Sequence, residues 1–462
     1  MSPTSQDIAM KIAITIGPLL IVAGSDAKAA NTHLTIVENG QARAMIVLSS
    51  DPAPCAVVGA REFRDHVKLI SGATLETVRT DEWPRQAKLT DDLAPIFVGR
   101  SRAAAMRGVS ADGLPAEGFR IRCTDQYLAI VGCDGATYGP NYRFMTDSAG
   151  TLYGVYCLLE QLGVRWFYPS ELGTVVPKLR AVRVKVQSLQ DAPFFHYRHT
   201  TYGDFVWGRR TSAGGDRDVW STRHTCSIHL AKRYHKTNPE WFLRNADGKP
   251  GQQADLAHPE VVAAIADMAA KRFDTKPLAG LKYYLVIPHD GRARADDGAR
   301  SEWVGSAVRQ VADRVREPHS DGTIVYCAYN DYRLPPKNLA SMPENTAVLI
   351  ALSRGELLDA ERRARAYDLI RDWQSRQPKS VYFCRYNGSR LKLVPALIPH
   401  VIAEDIKRLK ALSVEGPVRI GGEMNFVGVA GKSPFSWWEH LNEYVTAKLL
   451  WDPDRDVDRI LD

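Results

Sequence analysis

Three acidic residues directly follow apolar segments of the chain, at Asp290, Asp331 and Glu423. Hydrolysis of a glycosidic bond usually needs two carboxyl groups, one to protonate the leaving oxygen and one to attack the sugar or activate water. Glu423 stands in the segment VRIGGEMNF, after two glycines that permit close approach of the backbone to a ligand. We therefore predict Asp290 and Glu423 as the catalytic pair, with Glu423 as general acid and Asp290 as base or nucleophile.

Each of these carboxylates also has a structural interpretation. Asp290 precedes a glycine, a common turn pair. Asp331 stands close to Arg333 and could cap a turn or pair with that arginine. Glu423 could pair with a nearby arginine.

Aromatic, basic and amide side chains also follow the apolar segments. Sugars offer C–H faces that stack on aromatic rings and hydroxyls that bind polar groups, and an arginine such as Arg354 or Arg385 can bind a carboxylate substituent through two hydrogen bonds. The predicted substrate-binding residues are His199, Tyr202, Asp331, Tyr332, Arg354, Arg385, Tyr386 and Asn387.

Other chemistries have no support in the sequence. A serine-hydrolase elbow, a Walker loop, a zinc-protease helix and a dinucleotide fingerprint are all absent from the sequence. His224, His229 and His235 do not match a metal-ligand spacing, so we expect neither metal nor cofactor. The net charge of +7 comes from scattered basic residues, which does not predict nucleic-acid binding.

The pattern of apolar runs and helical periodicity predicts an α/β protein of two domains. Residues 31–190 alternate short strands with two helices, typical of a small mixed sheet with helices on one side. Asp191-Ala192-Pro193 marks the boundary, because proline interrupts a strand ladder. Residues 191–462 repeat strand, loop and helix, which predicts a TIM-type (β/α) barrel. The last helical pattern is unfinished at Asp462, which is the pattern expected of a barrel truncated at its C-terminus. A doubly wound open sheet is the structural alternative.

The N-terminal segment resembles an export signal. Lys11 precedes an apolar stretch, and Ala27-Lys28-Ala29 has the small residues that a signal peptidase recognises, so residues 1–30 are predicted to be a signal peptide. This predicts a periplasmic or secreted protein without stable membrane insertion. Seven cysteines without metal-site spacing argue against a disulfide framework, although Cys123 and Cys133 could pair across a hairpin.

Several segments carry a family resemblance. The region before the boundary resembles the α/β domain that precedes the barrel in family 20 hexosaminidases and family 67 α-glucuronidases, and the downstream region resembles the bacterial domain of unknown function 4838. The segments concerned are AREFRDHVKLISGATLETV (60–78), IFVGRS (96–101), TLYGVYCLLEQLGVRWFYPSELGTVVP (151–177), NPEWF (238–242), YYLVIPHDG (283–291), AYNDYRLPPKN (328–338) and EYVTAKLLWDPDRDVDRILD (443–462).

The resemblance implies a glycoside hydrolase fold. It supports the predicted catalytic role of Asp290 more strongly than that of Glu423. Hexosaminidases have an adjacent Asp-Glu pair at the catalytic strand, whereas Asp290 is followed by Gly291, so the substrate-assisted mechanism is not implied.

Three functional hypotheses follow. The leading one is a glycosidase that acts on a poly- or oligosaccharide. The second is a non-catalytic carbohydrate-binding protein on a degenerate glycosidase barrel, and the third is a polysaccharide lyase with Tyr386 as base and Arg385 neutralising a uronate. The sequence does not specify the sugar or the oligomeric state.

Overall fold

The fold contains two large sheets, one with mixed parallel and antiparallel strands and one with parallel strands only. The computed structural model describes residues 32–82, 93–135, 148–200, 205–214, 228–274, 282–289, 297–386, 397–426 and 437–462. The predicted signal peptide therefore lies outside the described residues. Among the described helices, none has both the length and the apolar character needed to cross a bilayer.

The first large sheet is mixed and has the strand order β11-β6-β7-β5-β3-β4. A smaller sheet, β10-β1-β2, and the short pair β8-β9 lie in the same part of the chain. The strands are β1 (His33–Glu38), β2 (Gln41–Ala42), β3 (Ala44–Leu48), β4 (Thr77–Arg79), β5 (Ala94–Val98), β6 (Phe119–Cys123), β7 (Leu128–Gly132), β8 (Arg165–Trp166), β9 (Thr174–Val175), β10 (Val182–Lys185) and β11 (Gln187–Asp191); the helices are α1 (Pro54–Ser71), α2 (Arg102–Ala105) and α3 (Gly150–Gln161).

Both faces of this mixed sheet are covered. Ile46 and its same-face neighbours belong to the large core that includes α1 and α3, whereas Met45 and Val47 pack with Ala103 and Ala104 of α2 on the other face. The expected arrangement with helices on one side is therefore wrong in this detail. The cause is a short third helix, α2, whose Ser101 cap accepts a hydrogen bond from the Ala104 N–H.

The second large sheet is parallel and has the order β12-β19-β18-β17-β16-β15. This part of the chain consists of β12 (Tyr197–Thr200), α4 (Phe205–Arg210), α5 (Leu230–Tyr234), β13 (Phe242–Arg244), β14 (Pro250–Ala254), α6 (Pro259–Asp274), β15 (Tyr283–Val286), α7 (Asp297–Arg316), β16 (Thr323–Ala328), β17 (Thr346–Ser353), α8 (Ala360–Ser375), β18 (Val381–Tyr386), α9 (Pro399–Glu415), β19 (Ile420–Phe426), α10 (Trp437–Trp451) and α11 (Val457–Leu461). The first strand therefore pairs with the last, as the closing pair of a barrel does.

Side chains on the inner face show that the parallel sheet curls strongly. The hydroxyls of Tyr283 on β15 and Tyr382 on β18 lie 2.8 Å apart, although two strands separate β15 from β18. In a flat sheet these strands would be about 14 Å apart. Among the described residues the sheet is a curled half-barrel that is open between β12 and β15, so the predicted closed TIM-type barrel is confirmed only in part.

The two sheets meet through buried polar contacts. The Arg198 guanidinium on β12 lies 2.9 Å from the Glu117 carboxylate and 5.1 Å from the centre of the Trp451 ring. The Trp451 indole N–H in turn donates to Asp191 at 2.9 Å. The chain leaves the mixed sheet at Asp191 and enters the parallel sheet at Tyr197, next to the predicted domain boundary. The division into two domains stays a prediction.

Cys123 and Cys133, which the sequence left open as a pair across a hairpin, are both free thiols in the structure. Burial raises the pKa of the Cys123 thiol to about 11, against a smaller opposing effect of a backbone hydrogen bond at Leu34. Cys123 therefore resembles the inert, buried kind of cysteine.

Candidate active site

The carboxyl ends of the six parallel strands share one edge of the half-barrel, which we call the mouth. Side chains alternate between faces along each strand. On the inner face, towards the mouth, lie His199 of β12, Tyr386 of β18, Met424 of β19 and the ring of Tyr329 directly after β16. The mouth thus combines an imidazole, a thioether and two phenols, a set that offers both apolar surface and hydrogen-bonding groups.

His199 is buried at this edge. Its side chain is 3% exposed, and its ring stacks on Tyr197 two residues earlier, with ring centres 6.1 Å apart. The register places it beside Met424. This predicted substrate-binding residue therefore lies on the inner face near the mouth, with little of its surface open.

Tyr386 is half-buried at the end of β18. Burial raises the pKa of the Tyr386 phenol well above its usual value, with further contributions from nearby Cys384 and Tyr329. The structure therefore brings Tyr386 and Tyr329 together on the inner face. A neutral phenol of this kind can donate a hydrogen bond to a sugar hydroxyl and offer its ring to a C–H face.

Glu423 lies on the opposite face of β19, directed towards the surrounding helices. Its neighbour Met424 belongs to the inner core, whereas Glu423 is in register with Phe383, which packs in the outer core. The Glu423 carboxylate forms ion pairs with Arg354 and with Arg385, the latter at 3.5 Å. All three side chains are 0% exposed.

Asp405 of α9 completes this buried network. Its carboxylate lies 2.9 Å from the Arg385 guanidinium and 3.9 Å from that of Arg354. Burial raises the pKa of Asp405, against the opposing effects of Arg385 and Arg354. Arg354 also donates to the Asn425 amide oxygen at 2.9 Å. The network joins the ends of β17, β18 and β19 to α9 with two cations and two carboxylates.

This network bears on three predicted site residues. Arg354 and Arg385 bind carboxylates of the protein itself, and Glu423 is enclosed by them, so none of the three reaches the mouth in this structure. The lyase hypothesis also required Arg385 and Tyr386 to act together. As neighbours on β18 they lie on opposite faces of the sheet, which argues against that hypothesis.

A second polar cluster lies at the ends of β15 and β16. Asp331 accepts a hydrogen bond from Arg300 of α7 at 2.6 Å, and Arg300 also donates to the His289 carbonyl oxygen at 3.2 Å. The Gln253 side chain accepts from the His289 N–H at 2.6 Å. The partner of Asp331 is therefore Arg300, and Arg333 pairs with Glu356 at 3.2 Å instead.

The remaining predicted residues fall into two groups. Tyr332 is 2% exposed, its carbonyl accepts from the Tyr326 hydroxyl, and its ring lies under the Arg300 guanidinium, so it belongs to the core near the mouth. Asp290, Tyr202 and Asn387 lie outside the described residues, and the pairing of Asp290 with Glu423 stays a prediction.

Sequence reasoning missed several residues of these clusters, namely Gln253, Arg300, Asp405 and Asn425. Asp405 had a detectable signal, because it lies between Ile402 and Leu409 on the buried stripe of an amphipathic helix. An acid at such a position needs a partner. Among the described residues, no group of three or more His, Cys, Asp or Glu side chains is arranged to hold a metal ion.

Comparison with known proteins agrees with this architecture. The profile of the family described as "Domain of unknown function (DUF4838)" matches residues 168–462, more than half of the chain, and the chain belongs to that family. This confirms the resemblance seen in the downstream segments. No curated protein matches the sequence.

Solved structures with a similar fold are glycoside hydrolases. A family GH115 4-O-methyl-α-glucuronidase with specificity for decorated arabinogalactans matches with a TM-score of 0.54 and 15% identity, over 93% of this chain and 59% of the other. The family GH20 chitobiase of Flavobacterium johnsoniae matches with a TM-score of 0.54 and 12% identity, over 94% of this chain and 69% of the other. At such identities the likeness concerns the fold. The chain spans 59% of the length of the glucuronidase.

Proposed function

We propose that the protein is a glycoside hydrolase that cleaves a poly- or oligosaccharide at the mouth of the half-barrel. The observation that carries the proposal is the likeness of nearly the whole chain to glycoside hydrolase folds, with the strand ends gathered at one edge. In barrels of this kind the reacting residues stand directly after the strands. Asp290, which follows His289 after β15, occupies such a position in the sequence.

In this proposal Asp290 is the carboxylate that acts on the glycosidic bond, and His199, Tyr329 and Tyr386 contact the sugar. The burial of Glu423 between two guanidiniums favours a positioning role for this residue. Its predicted role as general acid requires it to leave Arg354 and Arg385, so a loss of activity in Glu423→Gln must be separated from a loss of folding.

The proposal is tested by incubating the full chain with a panel of plant and bacterial glycans and analysing the products by chromatography and mass spectrometry. The panel includes decorated arabinogalactans and N-acetylglucosamine oligomers, because the similar structures include a glucuronidase and a chitobiase. Asp290→Asn is expected to lower kcat by about 100- to 10,000-fold, the usual contribution of an acid–base group. Asp267→Asn, at an exposed position of α6, is the matched control.

Release of no product from any glycan, or full activity of Asp290→Asn, would contradict the proposal.

The second candidate function, carbohydrate binding without catalysis, is favoured by one observation. Three arginines near the strand ends are engaged by carboxylates of the protein, in the pairs Arg300–Asp331, Arg354–Glu423 and Arg385–Asp405. This candidate predicts measurable glycan affinity with no product after prolonged incubation.

We also propose that the chain is exported to the periplasm or the medium, on the strength of its N-terminal 30 residues. Mass spectrometry of the protein expressed in a Gram-negative host is expected to find a mature N-terminus close to Ala29. An intact Met1 on protein recovered from the cytoplasm would contradict this.

A further inference from the structure

Both polar groups of the His289 backbone form hydrogen bonds with side chains. The His289 N–H donates to Gln253 Oε1 at 2.6 Å, and the His289 carbonyl oxygen accepts from Arg300 Nη2 at 3.2 Å. His289 lies three residues beyond the end of β15, where the strand ladder no longer pairs the backbone. Buried backbone groups without a ladder partner need another one, and here side chains provide it.

The two side chains that hold His289 are themselves anchored. Gln253 on β14 is 7% exposed and donates through its own amide to the Ala254 carbonyl at 2.6 Å. Arg300 on α7 is 2% exposed and donates through Nη1 to Asp331 at 2.6 Å. Its guanidinium also lies 5.1 Å from the centre of the Tyr332 ring.

We propose that Gln253, Arg300 and Asp331 are positioning residues that clamp the peptide unit carrying the proposed catalytic carboxylate. The His289 carbonyl belongs to the peptide bond that joins His289 to Asp290, so holding this oxygen restrains the chain directly before Asp290. The inference rests on the proposed function and deepens it. It gives Asp331 a role through Arg300 in place of the direct substrate contact expected from the sequence.

Arginine is suited to this position because it has two separate terminal nitrogens. Nη1 binds the Asp331 carboxylate of the turn after β16, while Nη2 binds the His289 carbonyl after β15. A lysine ammonium is a single point and cannot span both acceptors in the same geometry. Arg300→Lys therefore keeps the charge and breaks the clamp.

The test compares Arg300→Lys and Asp331→Asn with two matched controls on the exposed face of α7, Arg309→Lys and Asp313→Asn. Arg309 and Asp313 form a surface pair 4.0 Å apart, with side chains 60% and 45% exposed. Two readouts are taken on the full chain: hydrogen exchange of peptides that contain His289, and steady-state kinetics on the best substrate of the glycan panel. Thermal unfolding shows whether each variant is folded.

Both clamp variants are expected to accelerate exchange at His289, while the controls leave it unchanged. Displacement of a reacting group by about 1 Å costs roughly 100-fold in rate, so kcat is expected to fall by at least about 10-fold with KM changed by less than about threefold. A structural role alone would lower the melting temperature without this division between kcat and KM.

The two proposals fail in distinguishable ways. If the wild-type protein releases no product from any glycan, the proposed function fails and hydrogen exchange alone judges the clamp. Unchanged exchange at His289 in a folded Arg300→Lys protein overturns the clamp, and so does a kcat within twofold of wild type. If Asp331→Asn does not fold, the milder Arg300→Lys variant still decides the outcome.

Discussion

Arg354 donates a hydrogen bond to Glu423 in an ion pair whose two side chains are both 0% exposed. The pair joins the end of β17 to β19, and Arg385 and Asp405 extend it to β18 and α9. Burial of charge is costly unless each charge has its partner. The arrangement therefore depends on all of its members, and this dependence can be measured.

Removing one member of the pair is expected to destabilise the protein strongly. Glu423→Gln leaves the two buried guanidiniums of Arg354 and Arg385 with the single carboxylate of Asp405, and the expected loss is about 3–5 kcal/mol in urea unfolding. Glu361→Gln on α8 is the control, because Glu361 and its partner Arg365 are 83% and 63% exposed and such pairs contribute about 0–1 kcal/mol. Equal losses in the two variants would contradict the expectation.

Removing both members together is expected to cost less than removing one. Arg354→Met combined with Glu423→Leu keeps the net charge and much of the side-chain volume, while Arg385 and Asp405 still pair at 2.9 Å. Replacement of a buried ion pair by apolar residues is often neutral or stabilising. A double variant whose loss equals the two single losses added together would contradict this expectation, because additive losses mean that the two residues are not coupled.

The contact between Glu117 and Arg198 should stabilise the junction of the two sheets. The Arg198 side chain is 0% exposed, so Glu117→Gln removes the carboxylate that pairs with its buried charge. This substitution is expected to lower the free energy of unfolding by about 3 kcal/mol. Glu38→Gln offers a control in the same part of the chain, because Glu38 pairs with the 53% exposed Arg183. Equal decreases of the urea midpoint in the two variants would refute the prediction.

Gly422 is expected to tolerate no side chain. Its φ is +132°, and a Cβ atom there would lie 1.9 Å from the Tyr197 carbonyl oxygen on β12. Gly422→Ala must push β19 away from β12, and we expect a loss of more than about 3 kcal/mol or failure to fold. Gly355→Ala is the control, since the nearest atom to its Cβ would be 3.4 Å away. A Gly422→Ala protein with wild-type stability would refute the close approach.

The thiol of Cys384 is expected to be unreactive in the folded protein. Burial raises its pKa to about 12, with smaller opposing effects of Tyr386 and Arg385. The thiolate fraction at pH 8 is then about one in ten thousand, and the thiolate is the reactive form. Mass spectrometry after iodoacetamide treatment should find Cys384 modified only in denaturant. Rapid modification in the native protein at pH 8 would contradict this.

Much of the strand and helix succession could be predicted from the sequence. The apolar residues 323–329 predict a strand, and β16 spans Thr323–Ala328. Residues 380–384 likewise predict a strand, and β18 spans Val381–Tyr386. These strands are buried on both faces and therefore appear as continuous apolar runs. The same property leaves undetermined which side chains face inward and which face outward, because a run that is apolar throughout shows no alternation of apolar and polar residues.

The candidate site shows the consequence of that ambiguity. The sequence placed Arg385, Tyr386 and Glu423 directly after strands. Arg385 and Tyr386 are the last two residues of β18, whereas Glu423 lies in the middle of β19, because that strand continues through the two glycines to Phe426. It could not place Tyr386 on the inner face and the two charged residues on the outer one. That choice depends on the direction in which the sheet curls and on the register between β18 and β19.

The sequence by itself determined much of the order of strands and helices, the position of Asp331 after β16, and membership of the family, since local patterns encode all of these. Only the tertiary structure decided which charges meet. Arg354 and Glu423 are 69 positions apart, and Gln253 and His289 are 36 apart. Such pairs form because parallel strands bring their ends to one edge, and the register and curl of the sheet then select the partners.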